Sequence, residues 1–270
     1  MYGERRSGLG SASWLAGAVL WTRVVPASGE VIRVLPDGCL DLIWSAGALF
    51  VAGPDTRAHV RSSPPGASFV GLRFAPGTGP TVLGVPAYEL RDRRVPLDGL
   101  WPARQVRAPA DRVTGAVDRG AAVEAVAADR LRAVANRGRG GPDPPATMPQ
   151  AIVRALRAGA GVVATARAVG LSERQLHRRC LVAFGYGPKT LARVLRLRQA
   201  LALARAGTPF ATVAVRAGYA DQAHLARDVK ALAGVPLGVL TAEGDDAVGA
   251  EILEDSASNS MSNPPRSTVG

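Results

Sequence analysis

Cysteine is scarce in this chain of 270 residues: only Cys39 and Cys180 occur, both in apolar surroundings and neither in a CxxC pair. Ligand count alone therefore excludes a zinc finger or a thioredoxin-type site. Both thiols read as buried and reduced, the state expected in a cytosolic protein. Long apolar runs are missing too, since nothing approaches the roughly eighteen residues a membrane span needs. The N-terminus imitates a signal peptide, with Arg5 and Arg6 ahead of an apolar stretch from Trp14 to Trp21. That stretch is short and runs straight into strand-like sequence, so the chain is expected in the cytoplasm with no membrane partner. Acidic residues are rare in one region above all. Residues 150–241 hold fourteen Arg or Lys against Glu173, Asp221 and Asp228, a net +11 that equals the charge of the whole chain. Residues 242–270 carry a net −5, leaving +5 for residues 1–149. Positive charge concentrated in this way favours a polyanionic partner, although Arg-rich helical surfaces are also often merely solvated.

The length leaves room for two domains, each with its own core. From Trp14 to Phe74 short apolar or alternating runs (31–35, 39–44, 48–51 and 68–74) are separated by turn formers such as Pro36-Asp37-Gly38 and Pro64-Pro65-Gly66. Strands at this spacing predict a small antiparallel barrel or sandwich, cupin-like in form, over about 10–107. Residues 84–90 read as a short helix with Pro86 in its first turn, and the alanine-rich stretch 108–136 as a connector of one or two helices. Arg137 to Pro149 is too rich in Gly and Pro to pack and reads as a linker. Residues 150–241 are helical in pattern throughout, and the acidic, then Ser/Asn/Pro-rich tail 242–270 is expected to be disordered. The fold class is thus α+β: a β-rich domain followed by an all-α domain.

Two segments of the helical half repeat one plan. In the first, a short helix (Val162 to Val169, with Ala166 at its middle) breaks at Gly170, Leu171 plugs the turn, and Ser172-Glu173-Arg174-Gln175 is a capping-box sequence for a second helix. Leu176, Cys180 and Phe184 recur every four residues as its buried stripe, leaving Arg174, His177 and Arg178 on the other face. In the second, Phe210 to Ala217 precedes the turn Gly218-Tyr219, Ala214 is the small crossing residue, and Leu225, Val229 and Leu232 form the stripe. Gln222, His224 and Arg227 lie towards its exposed side, and its turn is one residue longer. Between the copies, Pro188 to Arg205 reads as one helix of about 27 Å, with Leu191, Leu195 and Leu201 inward and Arg193, Arg196 and Arg198 outward. It would hold the two units near the ~34 Å that separates successive major-groove faces of DNA. A lone helix-Gly-helix pair is often an ordinary αα-corner. Two copies at this spacing in so basic a segment point to double-stranded DNA.

Residues 162–239 resemble the AraC/XylS family of transcription regulators. The blocks 170–179 (Gly-Leu-Ser-Glu-Arg-Gln-Leu-His-Arg-Arg), 184–189 (Phe-Gly-Tyr-Gly-Pro-Lys), 196–200 and 217–228 (Ala-Gly-Tyr-Ala-Asp-Gln-Ala-His-Leu-Ala-Arg-Asp) match its usual blocks in order. The resemblance implies base contacts from Arg174, His177 and Arg178 in the first unit and from Gln222 and His224 in the second, with Arg227 near the backbone. Two departures, Val229 where the family usually has Phe and a proline (Pro236) one place early, imply looser packing of the second unit. Residues 35–42, 52–56, 70–77 and 83–90 resemble a domain of unassigned function often found ahead of this one, which implies a sensory or dimerising role.

The binding chemistry divides in two. Arg193, Arg196, Arg198, Arg205, Arg227 and Lys230 are candidates for phosphate contacts, which add affinity without sequence information. Arg174 and Arg178 suit the O6 and N7 of guanine, and Gln222 suits adenine. Cys39, Asp41 and His59 invite a nucleophile reading, but Cys39 sits in a Leu-rich run and nothing fixes His59 beside it, so no enzyme, metal site or cofactor is expected. Arg33, Asp37, Asp41 and Arg73 either line a pocket or stabilise turns and strand edges. The expected partners are double-stranded DNA, a small-molecule effector, a second copy of the chain and RNA polymerase. The competing reading is a helical protein-interaction module joined to a ligand-binding or enzymatic β domain.

Overall fold

The computed structural model describes residues 2–7, 15, 17–137 and 147–242. Its N-terminal part is built on a six-stranded antiparallel sheet in the order β1-β2-β7-β4-β5-β8. These strands are β1 (Tyr2–Arg6), β2 (Val19–Val24), β4 (Asp41–Ser45), β5 (Ala48–Ala52), β7 (Ser68–Arg73) and β8 (Arg94–Pro96). The remaining two, β3 (Glu30–Val34) and β6 (His59–Ser63), pair only with each other as a ribbon. The β4–β5 hairpin closes through Ala46 and Gly47, both at positive φ (48° and 83°), as a tight hairpin turn requires. Register then decides the core. Leu42 lies opposite Val51 on one side and Leu72 on the other, and all three are fully buried on one face of the sheet.

That face is covered by α1 (Gly79–Leu83), α2 (Ala87–Leu90), α3 (Arg107–Gly115) and α4 (Arg119–Arg137), which add Val82, Leu83, Leu90, Val113, Val123 and Val126 to the same core. A smaller cluster of Val25, Ile43, Ala52 and Phe69, with Trp21 and Phe50 packed against it, lies apart from that core. Of the helix expected over 84–90 only Ala87–Leu90 is helical, as α2, and Gly84 instead ends a separate helix before it. Gly84 closes α1 at φ 79°, its N–H bonding back to Pro80, and the extended Pro86 starts α2. The 108–136 stretch divides into α3 and α4. Strand β6 (His-Val-Arg-Ser-Ser) carries no apolar alternation; its pairing with β3 makes it a strand.

The C-terminal part is all helical: α5 (Thr147–Arg157), α6 (Val162–Ala168), α7 (Glu173–Phe184), α8 (Pro188–Arg205), α9 (Phe210–Arg216), α10 (Gln222–Ala233) and α11 (Leu237–Ala242). Residues 147–149, placed in the linker by composition, form the first turn of α5, where Pro149 costs no intrahelical hydrogen bond. Arg137 and Ala242, placed in the linker and the tail, end α4 and α11, and the rest of both segments, 138–146 and 243 onwards, lies outside the described residues. Two separate apolar cores fill this half. The first joins Ile152, Leu156, Leu176, Cys180 and Phe184 to Leu191, Val194 and Leu195 of α8. The second joins Leu197, Leu201 and Ala204 of the same helix to Val213, Leu225, Val229, Leu232 and Leu240, with Leu35 from the N-terminal half as a further member. Val229 is fully buried there.

Candidate nucleic-acid interface

The two helix-turn-helix units have the same turn at the level of individual hydrogen bonds. Gly170 and Gly218 adopt the left-handed conformation (φ 68° and 77°) that ends α6 and α9 without a Cβ clash. The residue after each glycine then donates to the carbonyl of the central alanine: Leu171 to Ala166 and Tyr219 to Ala214, both at 2.9 Å. Both alanines are buried where the helices cross.

The caps differ. In the first unit Ser172 Oγ accepts from the Gln175 N–H at 3.3 Å, while Gln175 Oε1 accepts from the Ser172 N–H at 2.9 Å, the reciprocal box read in the sequence. In the second, Asp221 Oδ1 accepts from the His224 N–H at 2.6 Å. Both recognition helices thus start with satisfied donors and a fixed direction.

On α7, Leu176, Cys180 and Phe184 are wholly buried, and Arg174, His177 and Arg178 are exposed. His177 leans back over the turn that follows the helix: a Cβ on Gly187 would lie 2.7 Å from its ring. Arg174 and Arg178, one turn apart, are left as the outward pair. On α10, Gln222, Arg227 and Lys230 are exposed. His224 is half-buried, its ring edge-on to Tyr219 at 5.2 Å and its Nδ1 3.4 Å from the Ala220 N–H, so it closes its own turn.

Helix α8 presents two different faces. Lys189, Arg193, Arg196 and Gln199 form a stripe along a groove of about 570 Å³ between the units, walled by residues 158–162 on one side and 215–218 on the other. Arg193 is tied down within it, with Nε and Nη2 at 2.8 and 2.6 Å from Asp228 Oδ1. Arg196 lies over the Tyr219 ring at 5.1 Å. Burial and the neighbouring Asp228 carboxylate raise the Tyr219 hydroxyl well above the usual phenol range.

Arg198, expected outward on phosphate, is on the other face. It lines a small cleft of about 60 Å³ at the junction with the N-terminal half, together with Asp37, Cys39, Arg73 and Arg157. Burial there lowers its pKa against the pull of Asp37, and Arg205 lies close enough to lower it further. Two residues on, a helix turns by about 200°, which is why Arg196 and Arg198 cannot share a face. Sequence reasoning passed over Lys189, Gln199 and Arg216, which also line the groove. The spacing of 189, 193 and 196 was a readable helical stripe.

The N-terminal candidates separate. Arg73 Nε sits 3.2 Å from Asp37 and 3.3 Å from Asp41, and Trp21 Nε1 donates to Asp41 at 2.7 Å, forming a structural ionic knot. Burial raises Asp41 while Arg73 opposes that rise. Burial, then Asp37, pushes the Cys39 thiol up, the reverse of an activated nucleophile. His59 is exposed at the start of β6, which pairs with β3, and burial, then Arg94, lowers its pKa while Asp55 opposes. Among the described residues no group of three or more His, Cys, Asp or Glu is placed to hold a metal ion, and no helix is long and apolar enough to cross a membrane.

Comparison with known proteins bears on both halves. Residues 165–242 match a family described as a helix-turn-helix domain, and residues 18–96 match a domain of unknown function, DUF6597. No curated protein sequence matches significantly. Among solved structures, the apo form of a ToxT variant from Vibrio cholerae is similar at 10% identity, over 83% of this chain and 96% of that one, with a TM-score of 0.46. Wild-type ToxT from the same organism, with an unsaturated fatty acid bound, gives 9% identity over 82% and 90%, with a TM-score of 0.40. At that identity and TM-score, what ToxT binds is a property of ToxT.

Proposed function

We propose, from the premise that the chain carries an AraC-type helix-turn-helix domain and is a DNA-binding transcription regulator, that its two units read successive major-groove segments of one site. The observation that carries this reading is the repetition itself. Two turns closed by the same hydrogen bond, each followed by a capped helix, expose Arg174 and Arg178 in one unit and Gln222 in the other. Arg174 and Arg178 donate to guanine, Gln222 pairs with adenine, and His177 and His224 contribute from the flanks. Lys189, Arg193, Arg196 and Arg216 around the groove, with Arg227 and Lys230 on α10, take the phosphates; Arg198 and Arg205 face away from them. The chain acts without catalysis or a cofactor, in the cytoplasm. Its N-terminal domain carries control, through a small effector or a second copy, and contact with RNA polymerase.

A salt titration of the binding constant tests the phosphate set. With about six contacts, counterion release gives a log–log slope near −5. An essentially flat titration between low and moderate salt refutes DNA binding and leaves the protein-interaction reading.

A further inference from the structure

The N-terminal domain holds the C-terminal ends of both recognition helices. The last carbonyls of a helix have no partner within it and carry the negative end of its dipole. On α10, the Leu232 carbonyl accepts from the Ala58 N–H at 2.7 Å, and the Ala233 carbonyl accepts from Arg33 Nη1 at 3.0 Å. Arg33 lies on β3 and Ala58 immediately precedes β6, so both donors come from the ribbon. Leu35, just past β3, is buried in the same unit's core. On α7, the carbonyl of the capping residue Gly185 accepts from Arg91 Nη1 at 3.3 Å. Gly185 also admits the N-terminal domain closely: a Cβ there would lie 2.6 Å from Pro54 and 3.1 Å from the Ala87 carbonyl.

The two units do little to fix each other. Their apolar cores are separate, and the groove of about 570 Å³ parts their facing loops. Two bodies span them: helix α8, which contributes to both cores, and the N-terminal domain, which touches both helix ends. A single helix resists extension but leaves the unit at each end free to rock. A second body attached to both units removes that freedom.

We propose that Arg33 and Arg91 are positioning residues through which the N-terminal domain sets the distance and angle between the two recognition helices, and so the half-element spacing the protein accepts. Neither residue touches DNA in this scheme. The proposal rests on the two-unit reading above and adds to it a gauge. A displacement of the β3–β6 ribbon relative to Arg91 would then change which sites are bound without altering either reading face.

The test uses the full-length protein and its own preferred site, first obtained by selection from random DNA. The half-elements are then moved apart or together by one and two base pairs. Wild-type protein is expected to lose at least tenfold in affinity for a shift of one base pair. The Arg33→Ala, Arg91→Ala double variant is expected to bind the original site a few-fold more weakly and to lose only about two- to threefold on the shifted ones. Arg33→Lys, which keeps one donor for the Ala233 carbonyl, restores most of the discrimination. An unchanged spacing penalty in the double variant overturns the gauge and leaves two-unit reading intact, as does a loss equal at every spacing, the signature of a merely structural role. Failure of the wild-type protein to select any two-part site refutes the reading itself. Thermal unfolding of each variant identifies any loss of fold, and Leu35→Val, which loosens the same docking without removing a charge, then repeats the spacing test.

Discussion

The first and second helix-turn-helix units share a turn but not a means of support. The first combines local devices, a reciprocal Ser172–Gln175 cap and a core closed by Leu176, Cys180 and Phe184, with N-terminal contacts at the end of α7. There Arg91 meets the Gly185 carbonyl, and Pro54 and Ala87 pack close. The second has a one-sided cap from Asp221, a smaller Val229 in its core, and three ties from elsewhere: Arg193 on Asp228, Leu35 in its core, and Arg33 with Ala58 on its last carbonyls. The looseness expected from Val229 and Pro236 is thus met by contacts from outside the unit. The N-terminal domain therefore meets the end of each recognition helix, but of the two cores it is the second that takes in a buried residue of that domain, Leu35.

The largest effect that separates the two is expected at Arg193. Its removal leaves the Asp228 carboxylate, only 7% exposed, without its cation. Since Arg193 itself is partly solvated, the cost is put at about 2 kcal/mol, below that of a fully buried pair. Chemical denaturation reads the stability, and amide exchange is expected to localise the loss to α9–α11 with α6–α7 unchanged. Equal loosening of both units would erase the contrast.

Next in size is the separation of base reading from phosphate anchoring. Arg178→Ala is expected to cost about 1–3 kcal/mol on the preferred site and to relax selection at one base pair. Arg196→Ala is expected to weaken all sequences alike and to reduce the salt slope by about one unit. Arg198→Ala, on the opposite face of α8, should leave that slope unchanged. Identical behaviour of Arg178→Ala and Arg196→Ala would describe a sticky basic surface.

Capping gives a smaller contrast. Ser172→Ala should cost about 1 kcal/mol, concentrated in α7, and Asp221→Ala a similar amount in α10. Amide exchange of the first turns measures both, and opening of the other unit in either variant would contradict their independence. The smallest effect is chemical: burial pushes the Cys180 thiol up to about 12, and Cys39 is raised as well. Neither is expected to alkylate in native protein at pH 8, and both should react once it is unfolded.

The helical half was legible because its signals are local. Glycine after a short helix, a Ser-x-x-Gln cap and a four-residue stripe each act within one turn of chain, and the bounds of α8 follow from Pro188 and the apolar spacing. What escaped was set at long range. The sequence left the side of α8 facing the N-terminal half unspecified, so Arg198 read as exposed. The Arg193–Asp228 pair spans 35 residues, and the Arg33–Ala233 bond spans 200. In the β half, β4, β5 and β7 announced themselves by apolar runs, whereas β6 is a strand only because β3 pairs with it. The end of α1 at Gly84 was readable from its glycine, but its start at Gly79 was hidden by the Gly/Pro-rich stretch around it.

Selection of DNA from a random pool by the full-length protein, followed by sequencing, is the most direct test of two-unit reading. Two half-elements are expected, their centres about 10–10.5 base pairs apart. Arg178→Ala should relax one of them and Gln222→Ala the other. Enrichment of no motif, or of a single element that both substitutions weaken alike, would contradict it.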